Sequence, residues 1–242
     1  MLPDAAALSA PTQSLVQAIR ATGHPAPVLV GGLTANFIDQ RASLGRRLPF
    51  AIALVALMTI AALFLMTGSL VLPVKAVLMN VLTLSATLGT LVMVFQWGHL
   101  QGLLRYTSQG GLDVTQPILI AALAFGLSTD YAVFLLSRIK EARDAGLGER
   151  EAIAAGLERT GRVVTAAALL FCVAVGSFAT SSIVVVKELG LGTAFAVLLD
   201  ATIIRALLVP ALMALLGRRN WWAPGPLRRL HDRIGVRETS GI

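Results

Sequence analysis

A chain of 242 residues that is 56% hydrophobic and only 14% charged carries more apolar surface than a water-soluble domain buries, and reads as an integral membrane protein. Its formal net charge of +7 does not indicate nucleic acid, because the basic residues gather at the ends of apolar segments and form no stripe interleaved with aromatics. The single cysteine, Cys172, lies in an apolar run, has no intrachain partner and reads as a small packing residue.

Residues 1–25 contain no continuous apolar stretch of the kind a cleavable signal peptide needs. Within residues 1–47, Ser14–Arg20 has helical spacing and ends at Gly23, Pro27–Val30 reads as a short buried strand, and Thr34 is placed to cap a helix through Arg46. This is a remnant of an α/β domain, too short to bury a core alone.

Residues 48–217 form the membrane domain. Five apolar segments, approximately 49–67, 74–96, 116–137, 163–182 and 189–216, each approach the ~20 residues needed to cross ~30 Å of hydrocarbon. Pro49, Pro73 and Pro117 open or precede three of them, where a missing N–H is harmless, and Pro210 inside the last predicts a kink. Between the third and fourth spans, 138–160 mixes arginines with Glu141, Asp144, Glu149, Glu151 and Glu158, with Ile153, Ala154 and Leu157 at helical spacing. It reads as a surface helix lying under the membrane. The glycine-rich loop 97–115 reads as an outer turn without a catalytic grouping. Residues 218–242 form a basic tail, with Trp221 and Trp222 placed as an interfacial anchor.

The connections also set an orientation. With the N-terminus outside, thirteen of the twenty Lys and Arg residues fall on the inner side and six on the outer, with Arg205 in the membrane. The positive-inside rule then places the C-terminus in the cytoplasm.

Asp130 stands about fourteen residues into a span of about twenty-two, close to mid-depth at ~1.5 Å per residue. An ionisable group there costs about 2.5–3.5 kcal/mol on insertion scales and marks a proton or ion path by default. Tyr131 is about 100° around the helix and cannot share a face with Asp130, but its phenol can bond a neighbouring helix or line the same cavity. Ser128 and Thr129 add hydroxyls able to hold water. A buried aspartate fixed only by an interhelical hydrogen bond is the alternative. Asp200 and Arg205 form a second polar pair in the last span. Five residues apart, they sit ~140° from each other on an α-helix, which predicts partners on other helices, with Asp130 a counter-ion for Arg205. A lock between helices and a relay role both remain open for them. His24, His99 and His231 have no second ligand at usable spacing, so no metal site is expected, and no phosphate-binding glycine motif supports an ATP-driven pump.

The run Phe125-Gly-Leu-Ser-Thr-Asp130-Tyr131 through Leu135-Leu-Ser-Arg-Ile139 is followed by Arg159-Thr-Gly-Arg162 with Thr165-Ala-Ala-Ala168. Leu189-Gly-Leu-Gly192, Asp200-Ala-Thr202 with Arg205, and Asn220-Trp-Trp222 complete the set. From about residue 27 onward these motifs resemble the MMPL (mycobacterial membrane protein large) branch of the resistance-nodulation-division transporters. The resemblance implies a non-enzymatic, proton-driven exporter of lipids or other hydrophobic molecules in an actinobacterial inner membrane, with the proton gradient as its energy source and no cofactor. It implies that Asp130 and Tyr131 belong to the proton relay, and it maps the acid and arginine of the family's final helix onto Asp200 and Arg205, as members of that relay or as its ion-pair partners. It further implies that the five spans correspond to helices eight to twelve and residues 1–47 to the end of an extracytoplasmic porter-like domain. The partners it implies are membrane lipids, a hydrophobic substrate and an N-terminal transporter half that this sequence lacks. A truncated or degenerate non-transporting membrane protein, or a drug efflux component, is the alternative.

Overall fold

The computed structural model describes residues 8–23, 28–108 and 111–234. Helix α1 (Ala10–Ala21) leads to α2 (Leu33–Thr67), α3 (Val71–Leu91) continues into a π-helical turn at Val92–Gln96, and a single turn α4 (Gln101–Leu104) follows. Two long helices come next, α5 (Thr115–Asp144) and α6 (Glu149–Gly176), the second ending in a 3₁₀ turn at Ser177–Thr180. The last span is composite: α7 (Val184–Leu199), a π-helical stretch Asp200–Leu208, and α8 (Val209–Leu216) with a 3₁₀ turn Gly217–Trp221. An amphipathic α9 (Gly225–Ile234) closes the described chain.

Among the described residues, five helical segments are long and apolar enough to cross a membrane, Leu33–Thr67, Val71–Gln96, Thr115–Asp144, Glu149–Thr180 and Val184–Trp221. Between 11% and 28% of each apolar window is buried inside the protein, so most of this surface requires hydrocarbon and not water around it. Leu57, Leu170, Val173 and Leu215 are among the exposed side chains of that belt. Helix α5 packs on α3, α6 and α7, while α6 also lies along α7. Small residues permit the closest approach: a Cβ at Gly190 would stand 2.5 Å from both the Val175 carbonyl and Phe178 Cβ.

Three expectations are corrected. The N-terminal α/β remnant is not supported: no strand occurs among the described residues, and Val28–Val30 has no regular structure, with Leu29 fully exposed. The predicted start of that strand at Pro27 lies outside the described residues. A lone apolar triplet has no neighbouring strand to take its N–H and C=O groups. Secondly, Pro49 does not begin a span but lies within α2, whose N-cap is Gly32 and not Thr34. It removes one donor, and the Gly45 carbonyl thereby freed lies on an exposed part of the helix. Thirdly, 138–160 is not a separate surface helix. The end of α5 and the start of α6 meet in a tight hairpin at residues 145–148, where Gly146 takes φ 96° and the Gly148 N–H donates to the Glu151 carboxylate at 3.3 Å.

The hairpin holds the tail. Glu149 accepts from Arg143 Nε at 3.1 Å and from Trp221 Nε1 at 3.0 Å, and the Arg143 guanidinium stacks 4.4 Å over the Trp221 ring. At the same end of the bundle Lys140 Nζ donates to the Met66 carbonyl at 2.9 Å. The opposite end is tied by Gln40 to Thr115 at 3.0 Å and by Lys187 Nζ, which donates to the carbonyls of Leu104 and Arg105 behind α4. There too the Arg20 guanidinium grips both oxygens of Asp39, at 2.5 and 2.8 Å, fixing α1 to α2.

Candidate functional site

The polar residues at mid-span converge between α3, α5 and the π-helical stretch. Arg205 Nη2 donates to Asp200 Oδ2 at 2.9 Å and to the Ser128 carbonyl at 2.7 Å. The Ser128 hydroxyl lies 2.8 Å from Asp200 Oδ1 and 2.6 Å from Asn80 Oδ1, and Asn80 Nδ2 donates to Thr129 Oγ1 at 3.3 Å. Asp200 and Arg205 are 5% and 7% exposed, so the pair is removed from solvent and must satisfy itself. Arg205 is also held from above by Tyr131, whose ring centroid is 5.3 Å from the guanidinium carbon. Its Nε and Nη1 are buried and have no partner within the described residues.

This geometry departs from the helical arithmetic. Asp200 and Arg205 are poor partners on an α-helix, yet they pair directly, because the chain from Asp200 to Leu208 is π-helical. A wider turn brings residues i and i+5 onto one face. Pro210 follows immediately, and its missing N–H and bulky ring disfavour an unbroken α-helix through this point. The counter-ion of Arg205 is therefore Asp200 and not Asp130.

On α5, Ser128 and Tyr131 are three residues apart and share a face, which is turned to Arg205. Asp130 lies between them in sequence, about 200° around the helix from Ser128. It is exposed and makes no hydrogen bond or ion pair among the described residues. Its helical neighbours Leu119, Leu123, Gly126 and Val133 are exposed as well, and together they form one uncovered stripe. The structure thus gathers Tyr131, Asp200 and Arg205 at one site and leaves Asp130 on another face.

Sequence reasoning missed Asn80 and Lys75. Both belong to α3 and line the same narrow cavity as Ser128, Asp200, Arg205 and Val209. The cavity holds about 30 Å³ of space that a water can occupy. Lys75 is 8% exposed and donates to Asn220 Oδ1 at 3.0 Å. Asn220, fully buried, uses its amide to bind the carbonyls of Met213 and Gly217 at the end of α8, at 2.7 and 2.8 Å. An amide and an amine in an otherwise apolar span were the available signals.

These features define a polytopic α-helical membrane protein with a buried ion pair at mid-span beside a water-sized cavity. Residues 4–237 match the model of the MMPL family, and the chain belongs to that family. It is 49% identical to a membrane protein of Streptomyces coelicolor over 93% of its own length and 32% of that protein's. It is 47% identical to the trehalose monomycolate exporter MmpL3 of Mycobacterium tuberculosis over 87% of this chain and 22% of the exporter. It is 39% identical to the mycolic acid-containing lipids exporter MmpL11 of Mycolicibacterium smegmatis, over 88% and 22% respectively. The chain thus spans between about a fifth and a third of the length of these relatives.

Proposed function

We propose that the chain is the C-terminal membrane portion of a proton-motive-force-driven exporter of lipids or similar hydrophobic molecules, multi-pass in the inner membrane with its C-terminus in the cytoplasm. The observation that carries this reading is the Asp200–Arg205–Ser128 group, an ion pair buried at mid-span with a cavity able to hold water against it. A carboxyl fixed at a permanent cation can gain and lose a proton only when water reaches it, and its charge then changes the attraction that holds α5 to the last span.

Asp130 supports the second half of the reading. A carboxylate at mid-depth on an uncovered stripe costs too much against lipid tails, so the stripe Leu119–Leu123–Gly126–Asp130–Val133 is the face that meets the N-terminal transporter half. Asp130 then joins the relay from the interface between the two halves, and Tyr131, adjacent to it and stacked on Arg205, links it to the buried pair. The lipid cargo follows from the relatives that are named as lipid exporters.

The test is Asp130→Asn in the whole transporter. The amide preserves shape and removes the titrating proton, so export should be lost at normal protein level. Proton-driven export that survives this change eliminates the relay assignment.

A further inference from the structure

We infer that Lys75 is the proton acceptor at the inner end of the cavity, exchanging a proton with Asp200 and passing it to the aqueous side; this rests on the proton-relay reading above. Lys75 lies one turn into α3, five residues before Asn80 and so about 7.5 Å from it along the helix axis. It opens into the cavity that Asp200 and Arg205 also line. Its ammonium form has three hydrogens, and among the described residues it makes one hydrogen bond, to Asn220 Oδ1. No carboxylate pairs with it among the described residues, so its charged form lacks the usual compensation of a buried cation. A lysine needed only as a strut to Asn220 has no reason to share a water-sized cavity with a buried acid.

The other charged groups do not compete for this role. Arg205 does not release its proton, Lys140 is engaged with the Met66 carbonyl, and Arg218 and Arg219 are exposed on the tail. Tyr131 is stacked on the guanidinium and does not line the cavity.

The step balances without any further reactant. The O–H bond of protonated Asp200 breaks and its proton enters a water in the cavity, while a proton of that water chain forms an N–H bond with the neutral Lys75 amine. The resulting ammonium gives one proton to water at the end of the bundle and returns to the amine. Asp200 is left as the carboxylate paired to Arg205.

The decisive variant is Lys75→Arg, which keeps the positive charge and a donor for Asn220 but does not titrate. Lys75→Gln keeps a neutral donor instead. In the whole transporter both should lower proton-coupled export by roughly tenfold or more, with the melting temperature of the unaltered protein. Full export by Lys75→Arg would overturn the inference if Asp200→Asn is inactive in the same assay. Should Asp200→Asn also export normally, the proton reading itself fails and the inference with it. If the arginine variant does not insert, infrared spectroscopy of the chain in lipid nanodiscs replaces it. The carboxyl band lost in Asp200→Asn should exchange its proton for deuterium roughly tenfold more slowly in Lys75→Gln, and unchanged exchange overturns the assignment.

Discussion

Arg205 Nη2 and Asp200 Oδ2 lie 2.9 Å apart although the two residues are five positions apart on one span, because the helix between them is π-helical. The pair therefore belongs to one helix, with the Ser128 carbonyl of α5 accepting from Arg205 and the Ser128 hydroxyl lying within hydrogen-bond distance of Asp200. A change at either charge reaches α5 directly, with no intervening helix.

Removing the guanidinium alone leaves a buried carboxylate uncompensated. Arg205→Met should destabilise the bundle by about 3–5 kcal/mol, the usual effect of breaking a buried pair. Adding Asp200→Asn should recover most of that loss in a thermal melt in detergent, while Asp130→Asn should recover none. Recovery by Asp130→Asn would mean that the exposed stripe on α5 folds inward in solution.

The close approach of α7 to its neighbouring helices predicts a contrast between two glycines. At Gly190 a methyl group meets the Val175 carbonyl, which is backbone, at 2.5 Å. At Gly192 it meets Ile120 Cδ1 at 2.8 Å and Leu91 Cδ2 at 3.0 Å, both tips of flexible side chains. Gly190→Ala should lower stability by about 1–3 kcal/mol, and Gly192→Ala by less than that. Equal melting temperatures for the two variants would show that the helices separate more easily than this packing implies.

Tyr106, in the turn after α4, is buried and donates to the Val94 carbonyl, and burial, followed by the negative charge of Glu188, raises its phenol above the ordinary 10.0. The folded protein holds this proton more tightly than the unfolded chain. The associated stability is fully present below pH 10 and is lost as pH rises through the folded value. The difference in melting temperature between the unaltered chain and Tyr106→Phe should therefore be constant up to about pH 10 and shrink above it. A difference that stays constant in alkali would remove Tyr106 as the titrating group.

The proposed sidedness rests on the distribution of basic residues. The tie of Trp221 to Glu149 and that of Lys75 to Asn220 put the hairpin at 145–148 and the tail at one end of the bundle. In a Cys172→Ser background, a cysteine at position 145 should react only from the cytoplasmic side, and one at 108 only from outside, when the whole transporter is present. Labelling of position 145 from outside would reverse the orientation argued from the basic residues.

The amino-acid sequence by itself determined that the protein is helical, lies in a membrane and has five helices able to span it, because apolar run length is a local property and the bilayer accepts few other solutions. It also marked Asp130, Tyr131, Asp200 and Arg205, since ionisable and phenolic groups within such runs stand out by composition alone. What each of them touches was decided by the tertiary structure. Regular α-helical spacing sets Asp200 and Arg205 apart, and only the π-helical turn before Pro210 joins them. Asn80 and Lys75 gain their meaning from helices that α3 meets far away in sequence, through Ser128 and Asn220. The strand expected near Val28 failed for the opposite reason: a local pattern of apolar residues needs a neighbouring strand, and none exists among the described residues to supply it.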